Sequence, residues 1–120
     1  RGLTEIGLLR SDGLACYWNG CCALYTLSPP KVNAAARPWQ WQTYDIELVL
    51  PKFDATTGKK IANARISVRH NGHAIHSNTE LPSDSNAPFA MALQDHGSAI
   101  QFRNIWIAET GQHKMPLCRE

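Results

Sequence analysis

The sequence predicts an all-β fold, an antiparallel β-sandwich. Three observations carry that prediction. Apolar and polar residues alternate along residues 43–50 and again along 64–70, the period of half-buried strands. Asn71-Gly72 falls directly between two such runs, the strongest short-range signal for a two-residue hairpin. Gly, Pro and Asn cut the chain into about seven short strands, and no segment of useful length shows a helical apolar stripe.

Taken in order, residues 5–9 form a short apolar run that fits a strand, ended by Ser11-Asp12-Gly13. Residues 14–20 are aromatic and turn-rich, as an exposed loop would be, and residues 22–27 read as a second strand. Ser28-Pro29-Pro30 stops it, because consecutive prolines cannot continue a ladder. The longest strand signal covers residues 39–50, with Tyr44, Ile46, Leu48 and Leu50 on one face and Thr43, Asp45 and Glu47 on the other. Pro51 closes it, and residues 53–60 make a polar excursion with a glycine turn at Gly58. Residues 64–70 place Ile66 and Val68 inward and Arg65 and Arg69 outward, and Asn71-Gly72 turns the chain into His73-Ala74-Ile75-His76. After a loop over residues 81–88, residues 89–93 begin another strand. Asp95-His96-Gly97-Ser98 forms a turn with Gly97 suited to positive φ, and residues 100–107 return. In that last strand Ile100, Phe102 and Trp106 share one face and Ile105 and Ile107 the other, which predicts a strand covered on both sides or a bulge near Arg103-Asn104. The covered strand is preferred, with Arg103 paired to a carboxylate such as Asp95. Residues 108–120 form a C-terminal tail on what reads as a single domain spanning 1–120.

At 43% hydrophobic and 18% charged residues the chain is globular in composition, and a net charge of +2 with scattered basic residues gives no nucleic-acid footprint. No apolar stretch reaches bilayer-spanning length. The chain begins Arg1-Gly2-Leu3, without an initiator Met or a signal peptide, as a processed chain or a fragment does. Cys16, Cys21, Cys22 and Cys118 allow three disulfide pairings, or remain buried or free thiols; Cys118 in the tail favours an oxidising compartment. Vicinal Cys21 and Cys22 on a strand point to opposite faces and cannot bind one metal together.

Candidate chemistry concentrates near the C-terminal end, where amide, carboxylate, imidazole and guanidinium groups lie close in sequence between two apolar runs. Asp95 beside His96 at a sheet rim suits proton transfer or sugar binding, or caps and ties down the turn. His70 and His73 face each other across the Asn71-Gly72 turn, while His76 has the opposite parity, so the three cannot converge on a metal; they read as an exposed polar tip, with His70 and His73 a weak transition-metal clip at best. No metal or other cofactor is expected. Trp18, Trp39, Trp41 and Tyr17 could stack on sugar rings if exposed, or pack at strand ends.

Four stretches in this order, Trp41-Gln42-Thr43-Tyr44-Asp45-Ile46, residues 64–72, Leu93-Gln94-Asp95-His96-Gly97 and Phe102-Arg103-Asn104-Ile105-Trp106-Ile107, resemble the 3-keto-disaccharide hydrolase family. The resemblance runs from about Glu5 to Ile107 and implies a concanavalin-like jelly roll whose concave face binds carbohydrate. It also implies cleavage of glycosides oxidised at C3 by an elimination-type route, and a secreted or periplasmic, hence extracytoplasmic, setting. The catalytic set it implies is Glu5, Asp95, His96 and Arg103, with Asp95 orienting His96, Glu5 facing it and Arg103 holding the carboxylate. The expected substrate-binding residues are Tyr17 and Trp18, read from their aromatic faces, and Gln94 beside Asp95.

Departures from the family pattern shift the expectation. The family's first strand here usually reads Glu-Ile-Gln-Val-Leu-Asp, whereas Gly7 and Arg10 stand in place of its Gln and Asp. The loop over residues 16–25 lacks the family's carboxylates, and several strands that usually precede this point are missing. An arginine in place of a carboxylate changes both charge and proton-transfer capacity. A jelly roll shortened at its N-terminal side leaves an unpaired edge and part of its core to be covered. The expectation is therefore a non-catalytic binding or assembly module packed against a protein partner or in an oligomer, with active 3-keto-glycoside hydrolysis or lectin-like sugar binding as the alternatives.

Overall fold

The computed structural model describes residues 22–24, 27–82, 91–93, 97 and 99–110. The chain divides into two units, Arg1–Pro88 and Phe89–Glu120. All regular structure among the described residues is antiparallel strand: β1 (Tyr44–Val49), β2 (Lys52–Phe53), β3 (Lys60–Ala62), β4 (Ala64–His70) and β5 (His73–Leu81). The β-sandwich class predicted from the sequence matches this architecture. The main sheet has the order β1-β4-β5, and β2-β3 forms a separate ribbon.

The β4–β5 hairpin forms at the predicted place. Asn71 and Gly72 take φ values of 50° and 81°, the double positive φ of a type I′ turn, and His70 pairs with His73 across it. Ala64, Ile66, Val68 and His70 of β4 all point inward and are buried, as a period of two requires. β5 carries two irregularities: Arg69 pairs with Ala74 but Val68 with His76, and Ile66 pairs with Thr79. Each inserts one extra residue on β5 and resets its parity. Asn78 sits in the second insertion with φ 48°, its amide bonded to Ser67 Oγ at 2.9 Å and its side chain accepting from Arg65 Nε at 2.8 Å. These insertions turn Ile75 and His76 both into the interior.

The ribbon was not foreseen as strands. Asp54 organises its loop: its carboxylate accepts from the amides of Thr56 and Thr57 at 2.9 and 2.7 Å, and its carbonyl from Gly58. Those amides hold the Asp54 carboxyl below its ordinary range. Gly58, at φ 67°, supplies the predicted glycine turn.

The core comprises Cys22, Leu24, Ala64, Ile66, Val68, Ile75 and Leu81, with Ala34 and Tyr44 packed against it. The strand predicted over residues 22–27 does not form among its described residues, 22–24 and 27. Cys22 takes φ 66°, and Leu24 forms an isolated bridge with Ser28, whose amide returns to the Leu24 carbonyl at 3.0 Å. A left-handed residue cannot continue a pleat, and closing the loop drops Leu24 into the core, where it is fully buried.

β1 keeps its predicted alternation. Ile46 and Leu48 share the inward face, opposite Val68 and Ile66. Yet they are 54% and 41% exposed, whereas Val68 and Ile66 are 1% and 5% exposed. Among the described residues of the first unit, the inner face of the sheet is covered over β4 and β5 and left exposed over β1.

In the second unit no strand forms among the described residues, so the strand expected to start over residues 89–93 does not extend through 91–93, nor does the returning strand over 100–107 appear. Gly97 has the expected positive φ of 79°. The preferred covered strand is overturned: Asn104 bends the chain at φ 54°, and Ile105, Trp106 and Ile107 are exposed, as are Ile100 and Phe102. The interruption lies where the phase of the sequence changes. The strand at residues 5–9, the loop at 14–20 and the turn residues Asp95, His96 and Ser98 lie outside the described residues.

Candidate functional site

A polar knot lies where the β4–β5 turn meets the loop that precedes β1. His70 is placed there because it continues the inward parity of Ile66 and Val68 to the end of β4. Its ring stacks on Tyr44, its register partner on β1, at 4.4 Å between centroids and 13° between planes. Gln42 Oε1 receives the Ala36 amide at 3.0 Å, so that atom is the carbonyl oxygen. It also receives Asn71 Nδ2 at 3.2 Å and His70 Nε2 at 2.8 Å. His70 Nε2 therefore carries the proton, and Nδ1 accepts from the Cys22 thiol 3.0 Å away. The Tyr44 hydroxyl lies 2.9 Å from the same sulfur and donates to it.

Asn71 completes the knot. Its side-chain oxygen accepts from the Thr43 amide at 3.0 Å, its nitrogen donates to the Ala34 carbonyl at 2.7 Å, and its own amide donates to the Thr43 carbonyl at 2.9 Å. One residue thus makes the hairpin turn and clamps the preceding loop. A second histidine, His76, is buried nearby and donates Nε2–H to the Cys22 carbonyl at 2.8 Å.

The predicted exposed histidine tip is corrected by this geometry. His73 is exposed, but His70 and His76 are buried, because one faces inward by parity and the bulge before His76 reverses the other. The same bulge cancels the parity argument that set His76 on the opposite face. Among the described residues no three His, Cys, Asp or Glu side chains group as a metal site.

A thiol bonded to an imidazole whose other nitrogen is fixed by an amide oxygen has the connectivity of a nucleophilic dyad with an orienting third group. Cys22 is only 2% exposed, however, and a buried thiol in such a place is a packing and hydrogen-bonding group. Burial pushes the pKa of both His70 and His76 down, in His70 with a further contribution from His73 and in His76 with one from Lys31, while the Cys22 carbonyl opposes it at His76.

A pH dependence follows with a definite sign. Unfolded imidazoles take up protons as the pH falls through the ordinary value of 6.5, while the buried ones resist until lower pH. The unfolded state then binds more protons, so stability is level above that value and falls as acidification proceeds from it toward the lowered folded pKa values. Urea midpoints measured between pH 7.5 and 5 should show this decline; a midpoint that rises on acidification contradicts it.

A second feature is a shallow hollow of about 340 Å³ lined by Lys60, Ile61, Ala62, Asn63, Arg65 and Glu80. Arg65 and Glu80 pair across it at 3.5 Å, and Asn63 donates to Glu80 while its own Oδ1 is buried without a hydrogen bond.

Of the residues proposed from sequence, Arg103 is exposed beside the bend at Asn104. Glu5, Tyr17, Trp18, Gln94, Asp95 and His96 lie outside the described residues, as do Cys16, Cys21 and Cys118. Sequence reasoning missed the knot, although the shared parity of Ile66, Val68 and His70 was a readable signal for it.

Comparison with known families settles the class. A model of the 3-keto-alpha-glucoside-1,2-lyase-like domain matches residues 3–108. The chain belongs to this family. The match covers most of the 120 residues and agrees with the family resemblance drawn from its motifs. Among solved structures, a candidate glycosyl hydrolase from Parabacteroides distasonis is 25% identical over 67% of this chain and 34% of that one, with a TM-score of 0.49. The chain thus spans about a third of that protein's length. No curated protein matches it. Among the described residues of this lyase-like domain no helix is long and apolar enough to cross a membrane.

Proposed function

We propose that this lyase-like domain is a non-catalytic binding or assembly module, carbohydrate being its ligand class and a protein partner covering the open face of β1. One observation carries the proposal. Ile46 and Leu48 stand on the same face as the buried Val68 and Ile66, yet about half of each remains exposed. Apolar side chains on a core-facing strand are ordinarily covered, and a contiguous open apolar face marks an interaction surface. The loss of turnover is inferred from Gly7 and Arg10, which stand where the family pattern has Gln and Asp. An extracytoplasmic setting accords with the glycoside class of the family.

The second reading is an active 3-keto-glycoside hydrolase or lyase, favoured by the family match itself. The residues that would carry it are Glu5, Asp95, His96 and Arg103, with Tyr17, Trp18 and Gln94 against the sugar. Incubation with a 3-keto-α-glucoside separates the two. We expect no product. Product formation that His96→Ala abolishes, with the fold retained, would establish the enzyme and reject the non-catalytic module.

A further inference from the structure

We propose that Trp39, at the tip of the loop before β1, is a stacking platform for a pyranose ring. Three observations on this loop point there. Trp39 is 97% exposed, and it adopts φ 67°, a left-handed conformation that bulky residues rarely take. Glycine would fit that position without strain, whereas a tryptophan there is held against its conformational preference.

The loop beneath it is built to hold that side chain out. Its tip is a turn closed by the Gln40 amide on the Arg37 carbonyl at 3.3 Å. Its root is tied at four places: Lys31 N–H to the Ile75 carbonyl at 2.9 Å, Ala35 N–H to Asn33 Oδ1 at 3.1 Å, Asn71 Nδ2 to the Ala34 carbonyl at 2.7 Å, and Ala36 N–H to Gln42 Oε1 at 3.0 Å. The polar knot around His70 therefore anchors the tip that presents Trp39. With the backbone tethered, only the two side-chain torsions of Trp39 remain to be ordered on binding, a small cost that matters most for weakly held ligands.

The chemistry favours a sugar. An indole face matches the apolar C–H face of a pyranose, and Trp41, 49% exposed two residues on, adds aromatic surface. Arg37 and Gln40, both exposed at the ends of the turn, supply donors and an acceptor suited to hydroxyls. This inference rests on the carbohydrate reading above and gives that reading a location, on residues distinct from Tyr17 and Trp18.

The test screens the full chain on an array of α- and β-linked pyranosides, with methyl α-glucoside as the reference sugar, and titrates the strongest binder into three proteins. Trp39→Gly should lower affinity about tenfold or more, whereas Trp39→Tyr, which keeps an aromatic face, should stay within about threefold. Trp39→Gly should unfold at a midpoint equal to or above wild type, because it removes backbone strain at an exposed site. A loss below threefold in Trp39→Gly overturns the platform and leaves the carbohydrate reading standing. No binding by the wild-type chain to any pyranoside overturns both.

Discussion

Replacing His70 with alanine should destabilise the domain by about 3 kcal/mol, one of the largest effects expected of any single substitution in it. The side chain is 1% exposed, so its removal leaves a cavity under Tyr44 and takes away the acceptor of the Cys22 thiol. Gln42 Oε1 would keep the Ala36 and Asn71 donors, so the loop before β1 loses one of its ties and not all of them. For a domain of this size the loss corresponds to a Tm lower by roughly 10–20 °C. His70→Phe separates the two contributions, because it keeps a ring against Tyr44 and forfeits both hydrogen bonds. Its cost should be smaller, about 1–2 kcal/mol. Chemical denaturation of the two variants checks this, and a loss below about 1 kcal/mol in His70→Ala would show that the knot is dispensable.

Introducing a charge on the open face should do the opposite: little to the fold and much to assembly. Leu48 is 41% exposed, so Leu48→Asp should cost the isolated domain only about 1 kcal/mol. Placed in the apolar centre of an interface, the same carboxylate would be desolvated without a partner. The expected weakening of the complex is about thirtyfold or more. Glu47→Asp, on the opposite face by register and exposed, serves as the control and should leave association unchanged. Co-purification and titration of the complex measure both.

How much of this was legible in the sequence depended on whether the determinant was local. Asn71-Gly72 fixed the hairpin because a type I′ turn needs two residues tolerant of positive φ, and little else satisfies it. The alternation in β1 and β4 gave the correct faces because the period of a strand is a property of the backbone. The bulges in β5 were not legible from alternation, since one added residue inverts every side chain beyond it. Asn78, tolerant of left-handed φ, was the one local hint. The knot joins Cys22, Gln42 and His70, residues far apart in the chain, and no spacing rule brings them together. Exposure of Ile46 and Leu48 was equally invisible, because alternation tells which way a side chain points and not whether anything lies over it.

The proposed role of the domain as an assembly module is tested most directly by the mass of the native particle that carries it, compared with the mass of its own polypeptide. Native mass spectrometry should find a particle heavier than one polypeptide, with a second protein or a second copy bound, and Leu48→Asp should reduce it to the single chain. A native particle of one polypeptide alone, with amide exchange along β1 as slow as in β4, would contradict the account.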